Sequence, residues 1–577
     1  MNRGKAAGKR CRKSDIYIPI ILLMPAFLLV VGVIIYPICY AVGLSFQYYK
    51  LTDYVNRQFI GLENYISVWR NETFLASLGN TVKWVGITVA CQFLFGLVLA
   101  MILNVPFRGR GIIRSITLMP WVTPGVVIAL MWVWIYNGNF GVLNKCLTSL
   151  GIISKNIPWL GSSQTALYSQ IVTMIWQGIP FFAIMILAAL QTISADLYEA
   201  ADISGANSWQ KFLYITLPEL MPTIITTCML RIIWVFNNVE VLYLMTGGGP
   251  GHSSMTVSLV AYIKAQKSLD FGQGSTIAIY GTLFMILFMT IYLKLTRRGM
   301  KMKRTKRIQK LVMLIPLLLI VCFVIFPYIW TFLTSIKPTD ELYTTNIKIL
   351  PRETTFQNYV TLFTSTDFLA SMFHSIVIAV ITSCISMLVS SMASYAFARY
   401  RFRGKNLALS GILLLYMFPS VLYLTPLFVV FNKLKLIGSP VALVVSYCTF
   451  TIPFSIWLLT SYMKSIPLEL EEAGKIDGAN VPQLLYYVVM PLLKPGLIAT
   501  GTYVFINSWN EYLFAVMFTT SNNRTLPVSL ASLVGEYDLR WDIISAGAVA
   551  AMIPVVILFM FIQKNLVAGL TAGSVKG

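Results

Sequence analysis

Twelve separate stretches of roughly twenty mainly apolar residues run through this chain, each long enough to cross a bilayer as a helix. They lie near 16–44, 80–105, 115–136, 167–190, 218–245 and 273–295, and again near 311–334, 373–397, 408–430, 440–463, 491–519 and 543–566. Backbone polar groups in lipid must find partners inside the protein, so such stretches are expected to be spanning helices. Pro120, Pro124, Pro419 and Pro426 fall inside them and are read as tolerated there, because neighbouring helices can satisfy the freed backbone groups. Only 11% of the 577 residues are charged, against about 25% in a soluble domain. The expected fold class is an all-α integral membrane protein with about twelve transmembrane helices.

Charge orients these spans. With both termini in the cytoplasm, 26 Lys and Arg fall in inside segments and 14 in outside ones, as the positive-inside rule requires. The sharpest cluster, RRGMKMKRTKRIQK at 297–310, joins the sixth and seventh spans. The net charge of +22 is therefore a loop property facing lipid headgroups, and no nucleic-acid partner is expected. The apolar run near 17–40 is too long for a signal-peptide core and reads as the first span. Eight scattered cysteines without a CxxC, and two histidines at 252 and 374, give neither a disulfide framework nor a metal site.

The chain is internally duplicated. FRGRG (107–111) and FRGK (402–405) each follow the second span of a half. EAADISGAN (199–207) and EAGKIDGAN (472–480) each follow the fourth, 273 positions apart. Six helices and six helices in one orientation make a parallel repeat, divided as 1–295, a basic linker at 296–310, and 311–577.

Each repeated phrase reads as a helix–turn–helix. Thr192 or Ser465 is expected to cap the first short helix, with Pro467 in an early position. Gly205 and Gly478 suit a left-handed terminus. Asn207 with Gln210, and Asn480 with Gln483, have the spacing of capping boxes. Apolar residues at 212/213 and 484/485/488 would hold the second helix to the membrane domain, leaving small residues (Ala200, Ala201, Ala473, Gly474) on the exposed face.

These phrases resemble the coupling loop of permease subunits in binding-protein-dependent ABC importers. The matches IGLENYISVW (60–69), GVLNKCLTSLG (141–151), IPWLG (157–161), MTGGGPGHSSMT (245–256), TTFQNYVTLF (354–363), WNEYLFAVMFTTSNNRTLPVSL (509–530) and GLTAGSVKG (569–577) favour the sugar and glycerol-3-phosphate, maltose-type branch. The chain resembles the two permeases of the usual heterodimer fused through the basic linker. The resemblance implies two cytoplasmic ABC ATPase subunits, an extracellular solute-binding protein and a carbohydrate-type solute, in a bacterial plasma membrane. It implies that the loops engage the ATPases through Glu199, Ala200, Ala201, Asp202, Gly205 and Ala206, and through Glu472, Ala473, Gly474, Asp477, Gly478 and Ala479. Differences at 201–202 against 474–475, and Ser204 against Asp477, raise the question of whether the loops are equal.

No G-x-x-x-x-G-K-[ST] phosphate loop occurs, so ATP and Mg²⁺ are expected on the partners and no cofactor on this chain. The GGGP run at 247–250 reads as a flexible outer turn. Within the membrane, polar residues are costly and mark functional positions. In the fifth span Thr227, Arg231, Trp234 and Asn238 are expected on one helical face, with Asn237 beside them, and Tyr503, Asn507, Asn510 and Glu511 form a corresponding stripe in the eleventh. Amides, a carboxylate and aromatics suit a sugar, and the same residue types hydrogen-bond helices to one another. Arg231 and Glu511 could also pair with each other. A membrane enzyme would need a convergent catalytic set, which the sequence lacks. An ion-coupled secondary transporter can have twelve helices in parallel halves, but needs no matched protruding loops.

Overall fold

A computed structural model describes residues 14–298, 314–344, 348–416, 418–534 and 540–574. Both chain ends, and the basic linker beyond Arg298, lie outside the described residues.

In the first half the elements used below are α1 (Tyr17–Ser45), α2 (Glu63–Trp69), α3 (Glu72–Asn104), α4 (Arg110–Val122), α5 (Gly125–Ile135), α6 (Ala166–Leu190), α7 (Ala195–Ile203), α8 (Leu217–Phe236), α9 (Glu240–Thr246) and α10 (Phe271–Arg298). In the second half they are α11 (Leu314–Ser335), α12 (Gln357–Ser365), α13 (Phe368–Arg399), α14 (Lys405–Tyr416), α15 (Ser420–Lys433), α16 (Pro440–Ser465), α17 (Glu469–Ile476), α18 (Met490–Asn510), α19 (Leu513–Phe518) and α20 (Trp541–Ser574). Among the described residues ten helices are long and apolar enough to cross a bilayer, and the pair α4–α5 passes that test together. The only strands there are the two-residue pair Gln47–Tyr48 and Gln58–Phe59.

The duplication is visible in detail. Gly109 and Gly404, at φ 87° and 85°, place the same left-handed turn before α4 and α14. The Asn-Tyr pairs of the outer helices act alike. Asn64 donates its side-chain amide to the carbonyls of Ser45 and Gln47, and Asn358 to those of Ser335 and Lys337. Tyr65 and Tyr359 hydroxyls meet Ser45 and Ser335 Oγ at 2.8 Å each. Each outer helix is thus stitched to the end of the span before it.

Two seams form the halves. Along α3–α6 the backbones close at Gly96, where a Cβ would sit 2.4 Å from Phe182 Cβ. Along α13–α16 an apolar seam also carries polar contacts: Ser386 meets Thr451 at 2.9 Å and Ser394 donates to the Ile456 carbonyl. Small and hydroxyl side chains are the usual means by which helices associate in lipid. The halves also interlock. α1 packs on α13 and α15 of the second half, and α11 packs on α3 and α4 of the first.

Four expected spans are not continuous helices. The stretch 115–136 breaks at Thr123–Pro124 with a bend of 97°. The stretch 408–430 breaks before Ser420, with Pro419 as N-cap. Proline lacks the amide needed by the preceding turn and pushes the residue before it out of the helical region, so Pro124 and Pro419 divide these helices instead of being absorbed. The stretches 218–245 and 491–519 break after Phe236 and Asn510 without proline, for a reason that belongs to the site.

Candidate functional site

The unprolined breaks are closed by side chains that sequence reasoning placed on a solute path. Asn238 accepts the Val241 amide at 3.2 Å and so caps α9. Glu511, its counterpart in the repeat, accepts the amides of Phe514 and Ala515 at 2.8 and 3.0 Å and caps α19. A side-chain acceptor at this position satisfies the orphan amides of a new helix start. Asn238 is consequently off the helical face shared by Thr227, Arg231 and Trp234, because α8 has already ended.

The break between α4 and α5 is satisfied from elsewhere. The amide of Asn510, at the end of α18, donates to the carbonyl of Val122 at 3.2 Å. Thr123 Oγ1 meets the Tyr328 hydroxyl of α11 at 2.7 Å. The Glu240 carboxylate lies against Gly125, where a Cβ would fall 2.5 Å from Oε2. The missing Cβ leaves the carboxylate this place at the start of α5.

Around these breaks lie two adjoining recesses, of about 270 and 220 Å³, both lined by Trp234, Asn238, Glu240, Asn507 and Asn510. Asn237 and Glu511 line the first, Arg231 and Tyr503 the second. All eight path residues expected from the sequence therefore border one or both of these adjoining recesses, which take lining from both halves. Among the described residues, four polar atoms on lining residues have no protein partner: Arg231 Nη2, Asn237 Oδ1, Glu240 Oε1 and Asn510 Oδ1. Such atoms are costly unless water or a ligand meets them.

Arg231 and Glu511 do not pair. Arg231 is 4% exposed and donates Nε to Gln92 Oε1 at 3.0 Å. Gln92 in turn donates to the Met174 carbonyl. The guanidinium lies 5.9 and 5.8 Å from the rings of Phe181 and Trp234. Its place depends on Gly178, whose missing Cβ would overlap both Gln92 Nε2 and Arg231 Nη2.

The repeated loops are the second feature. Gly205 and Gly478 have φ of 74° and 84°, and both capping boxes form, Asn207 with Gln210 and Asn480 with Gln483. The first caps differ from expectation. Ser194, not Thr192, accepts the Asp196 amide, while Thr192 Oγ1 bonds back to the Ala189 carbonyl. Ser465 bonds back to Tyr462, and Pro467 precedes the Leu468 N-cap of α17. Exposure is matched position by position: Glu199, Ala200, Asp202 and Gly205 are exposed with Ala201 and Ala206 half-buried, and Glu472, Ala473, Asp477 and Gly478 are exposed with Gly474 and Ala479 half-buried. The exposed face is not made of small residues alone. Leu197 and Ile203, 45% and 89% exposed, recur as Leu470 and Ile476 at 44% and 85%.

Positions 201 and 474 differ in what lies beside them. A Cβ at Gly474 would meet Leu484 Cδ2 at 2.6 Å. Position 211, the counterpart of Leu484, is a lysine that pairs instead with Asp202 at 2.6 Å.

Residues 92–299 and 386–572 each match the family model of the binding-protein-dependent transport system inner membrane component, together more than half of the chain. The chain belongs to that permease family. It carries the permease unit twice, so each curated relative covers about half of it. The trehalose transport system permease protein SugB of Mycobacterium tuberculosis (strain CDC 1551 / Oshkosh) is 37% identical over 45% of this chain and 95% of its own length. The sulfoquinovosyl glycerol transport system permease protein SmoG of Agrobacterium fabrum (strain C58 / ATCC 33970) is 36% identical over 49% and 92%. The trehalose/maltose transport system permease protein MalF of Thermococcus litoralis (strain ATCC 51850 / DSM 5473 / JCM 8560 / NS-C) is 35% identical over 48% and 92%. Both loops and all four helix breaks of this double permease lie inside the two matched regions.

Sequence reasoning missed Gln92 and Glu240. Both are polar residues within apolar stretches, a signal that could have found them. It also passed over Glu471, next to Glu472 and unlike it buried.

Proposed function

We propose that this double permease is the membrane core of an ATP-driven importer for a carbohydrate-type solute: a sugar, an oligosaccharide or a glycerol-phosphate. The solute passes through the cavity between the halves, where Arg231, Trp234, Asn237, Asn238, Tyr503, Asn507, Asn510 and Glu511 face it, with Glu240 added. Amides and carboxylates bond hydroxyls, and Trp234 and Tyr503 offer flat faces to a ring. The names of the relatives, for trehalose, maltose and sulfoquinovosyl glycerol, support that solute class.

Two separate cytoplasmic ATPase subunits engage the two loops and hold the ATP and Mg²⁺, while an extracellular binding protein delivers the solute. The chain itself is not an enzyme. Both termini and both loops face the cytoplasm of a bacterial cell, a reading supported by the excess of Lys and Arg in those segments. ATP and solute drive the cycle only in so far as each binds one conformation better than the other.

The single observation carrying this reading is the matched pair of protrusions, Leu197, Glu199, Ala200 and Ile203 against Leu470, Glu472, Ala473 and Ile476, with equal exposure in both halves. The test is uptake of labelled trehalose and maltose by vesicles holding the full chain, its ATPase subunits and binding protein. Uptake should require ATP and persist with an ionophore present. Uptake driven by an ion gradient without ATP would overturn the proposal.

A further inference from the structure

Glu471 and Glu472 are sequence neighbours in opposite settings. Successive helical residues are turned by about 100°, so Glu472 stands exposed while the Glu471 side chain is 2% exposed. Glu471 Oε1 accepts Arg399 Nε at 2.5 Å, and Oε2 accepts the Tyr395 hydroxyl at 2.9 Å. Arg399 Nη2 also donates to the carbonyl of Ile466, the C-cap of α16, at 2.9 Å. One buried carboxylate thereby joins the first turn of α17 to the last turn of α13 and the end of α16. The charges suit the helix ends they occupy, acid at the start of α17 and cation at the end of α13.

The first half has the same helices without this junction. The residues matching Tyr395, Arg399 and Glu471 are Ala100, Asn104 and Tyr198. Tyr198 meets Thr216 Oγ1 at 2.9 Å and Asp202 pairs with Lys211. Among the described residues, the side-chain bonds of α7 close within residues 194–216. They brace the loop internally and leave it untied to α3.

We propose that Glu471 is a positioning residue that makes the second loop the stiffer transmission arm. Movement of α17 is carried through Arg399 and Tyr395 into α13, which packs along α18 and so reaches Asn507 and Asn510 at the cavity. Movement of α7 passes only through its own turn into α8. This rests on the reading that ATPase subunits act on the loops.

The test uses the full chain in lipid nanodiscs, comparing Glu471→Gln, Arg399→Lys and Tyr198→Phe. Amide exchange over 469–479 should rise about tenfold in Glu471→Gln while α16 and α18 keep their protection. Arg399→Lys, which retains a cation but not the forked contact, should fall between. Tyr198→Phe should leave 195–206 within about twofold of wild type, since it removes only a neutral hydroxyl pair. Unchanged exchange in Glu471→Gln, or equal loosening of both loops, would overturn the junction. With ATPase subunits added, Glu471→Gln should keep ATP hydrolysis but move about tenfold less solute per ATP, whereas Tyr198→Phe keeps the ratio. A wild-type ratio in Glu471→Gln would overturn the transmission role. Failure of the wild-type chain to bind any ATPase would defeat the proposed function instead, and the exchange result would still decide the junction.

Discussion

The side-chain amide of Asn510 reaches across from the second half to hold the carbonyl of Val122 in the first, at 3.2 Å. That carbonyl is orphaned by the break before Pro124, and the bond closes it at the wall of the central cavity. Among the described residues, Asn507, one turn earlier, bonds only the Tyr503 carbonyl of its own helix, at 2.7 Å. Asn510→Ala should therefore lower stability by about 1–3 kcal/mol, the cost of leaving a buried acceptor unmet, and Asn507→Ala by less. Thermal unfolding of the two variants in detergent compares them directly; equal losses would count against a bond between the halves.

Glycines of the first half should sort by what lies beyond them. Gly96→Ala drives a Cβ into Phe182 and the Ile179 carbonyl, and should cost about 1–3 kcal/mol by overpacking the α3–α6 seam. Gly86, in the same helix, has nothing within 4 Å of the point where a Cβ would stand. Gly86→Ala should be neutral or stabilising by up to about 1 kcal/mol through helix propensity. Thermal unfolding in detergent separates the two substitutions, and equal shifts would count against close packing at Gly96.

Ile203 and Ile476 are 89% and 85% exposed and touch little of this chain. Ile203→Ser and Ile476→Ser should leave stability within about 0.5 kcal/mol, as surface changes do. Under the proposed function both should weaken retention of ATPase subunits during purification. Full retention in the double variant would remove these side chains from the docking surface.

The Asp202–Lys211 pair is partly exposed, with side chains 60% and 22% accessible. Lys211→Ala should cost at most about 1 kcal/mol and less at high salt. Gly474→Ala should also be tolerated, because the obstructing atom is the far end of Leu484. Urea or thermal titration of both variants at two salt concentrations checks whether the two loops reach similar stability by different means.

Periodicity and length made the spans readable, and local spacing made Gly205, Gly478 and both capping boxes readable, because those signals are complete within a few residues. The helix breaks were not readable. Asn238 and Glu511 have the same chemistry whether they line a path or cap a helix, and here they cap helices at the wall of a recess. Arg231 finds Gln92 at a separation of 139 residues, a distance over which no local pattern speaks. The partner that charge alone suggests for it, Glu511, is occupied by two backbone amides. The first caps of the repeated loops fall two or three residues from their expected places, where several hydroxyls and a proline compete for the same role.

Because α1 packs on α13 and α15 as well as on α10, part of its protein surroundings exists only once the second half has been synthesised. Ribosomes add about 5–20 residues per second, so α1 spends tens of seconds with lipid alone along that face before α13 emerges. Fusion of the two permeases shortens the search that follows, since the second half is delivered on the same chain at high effective concentration and in equal number.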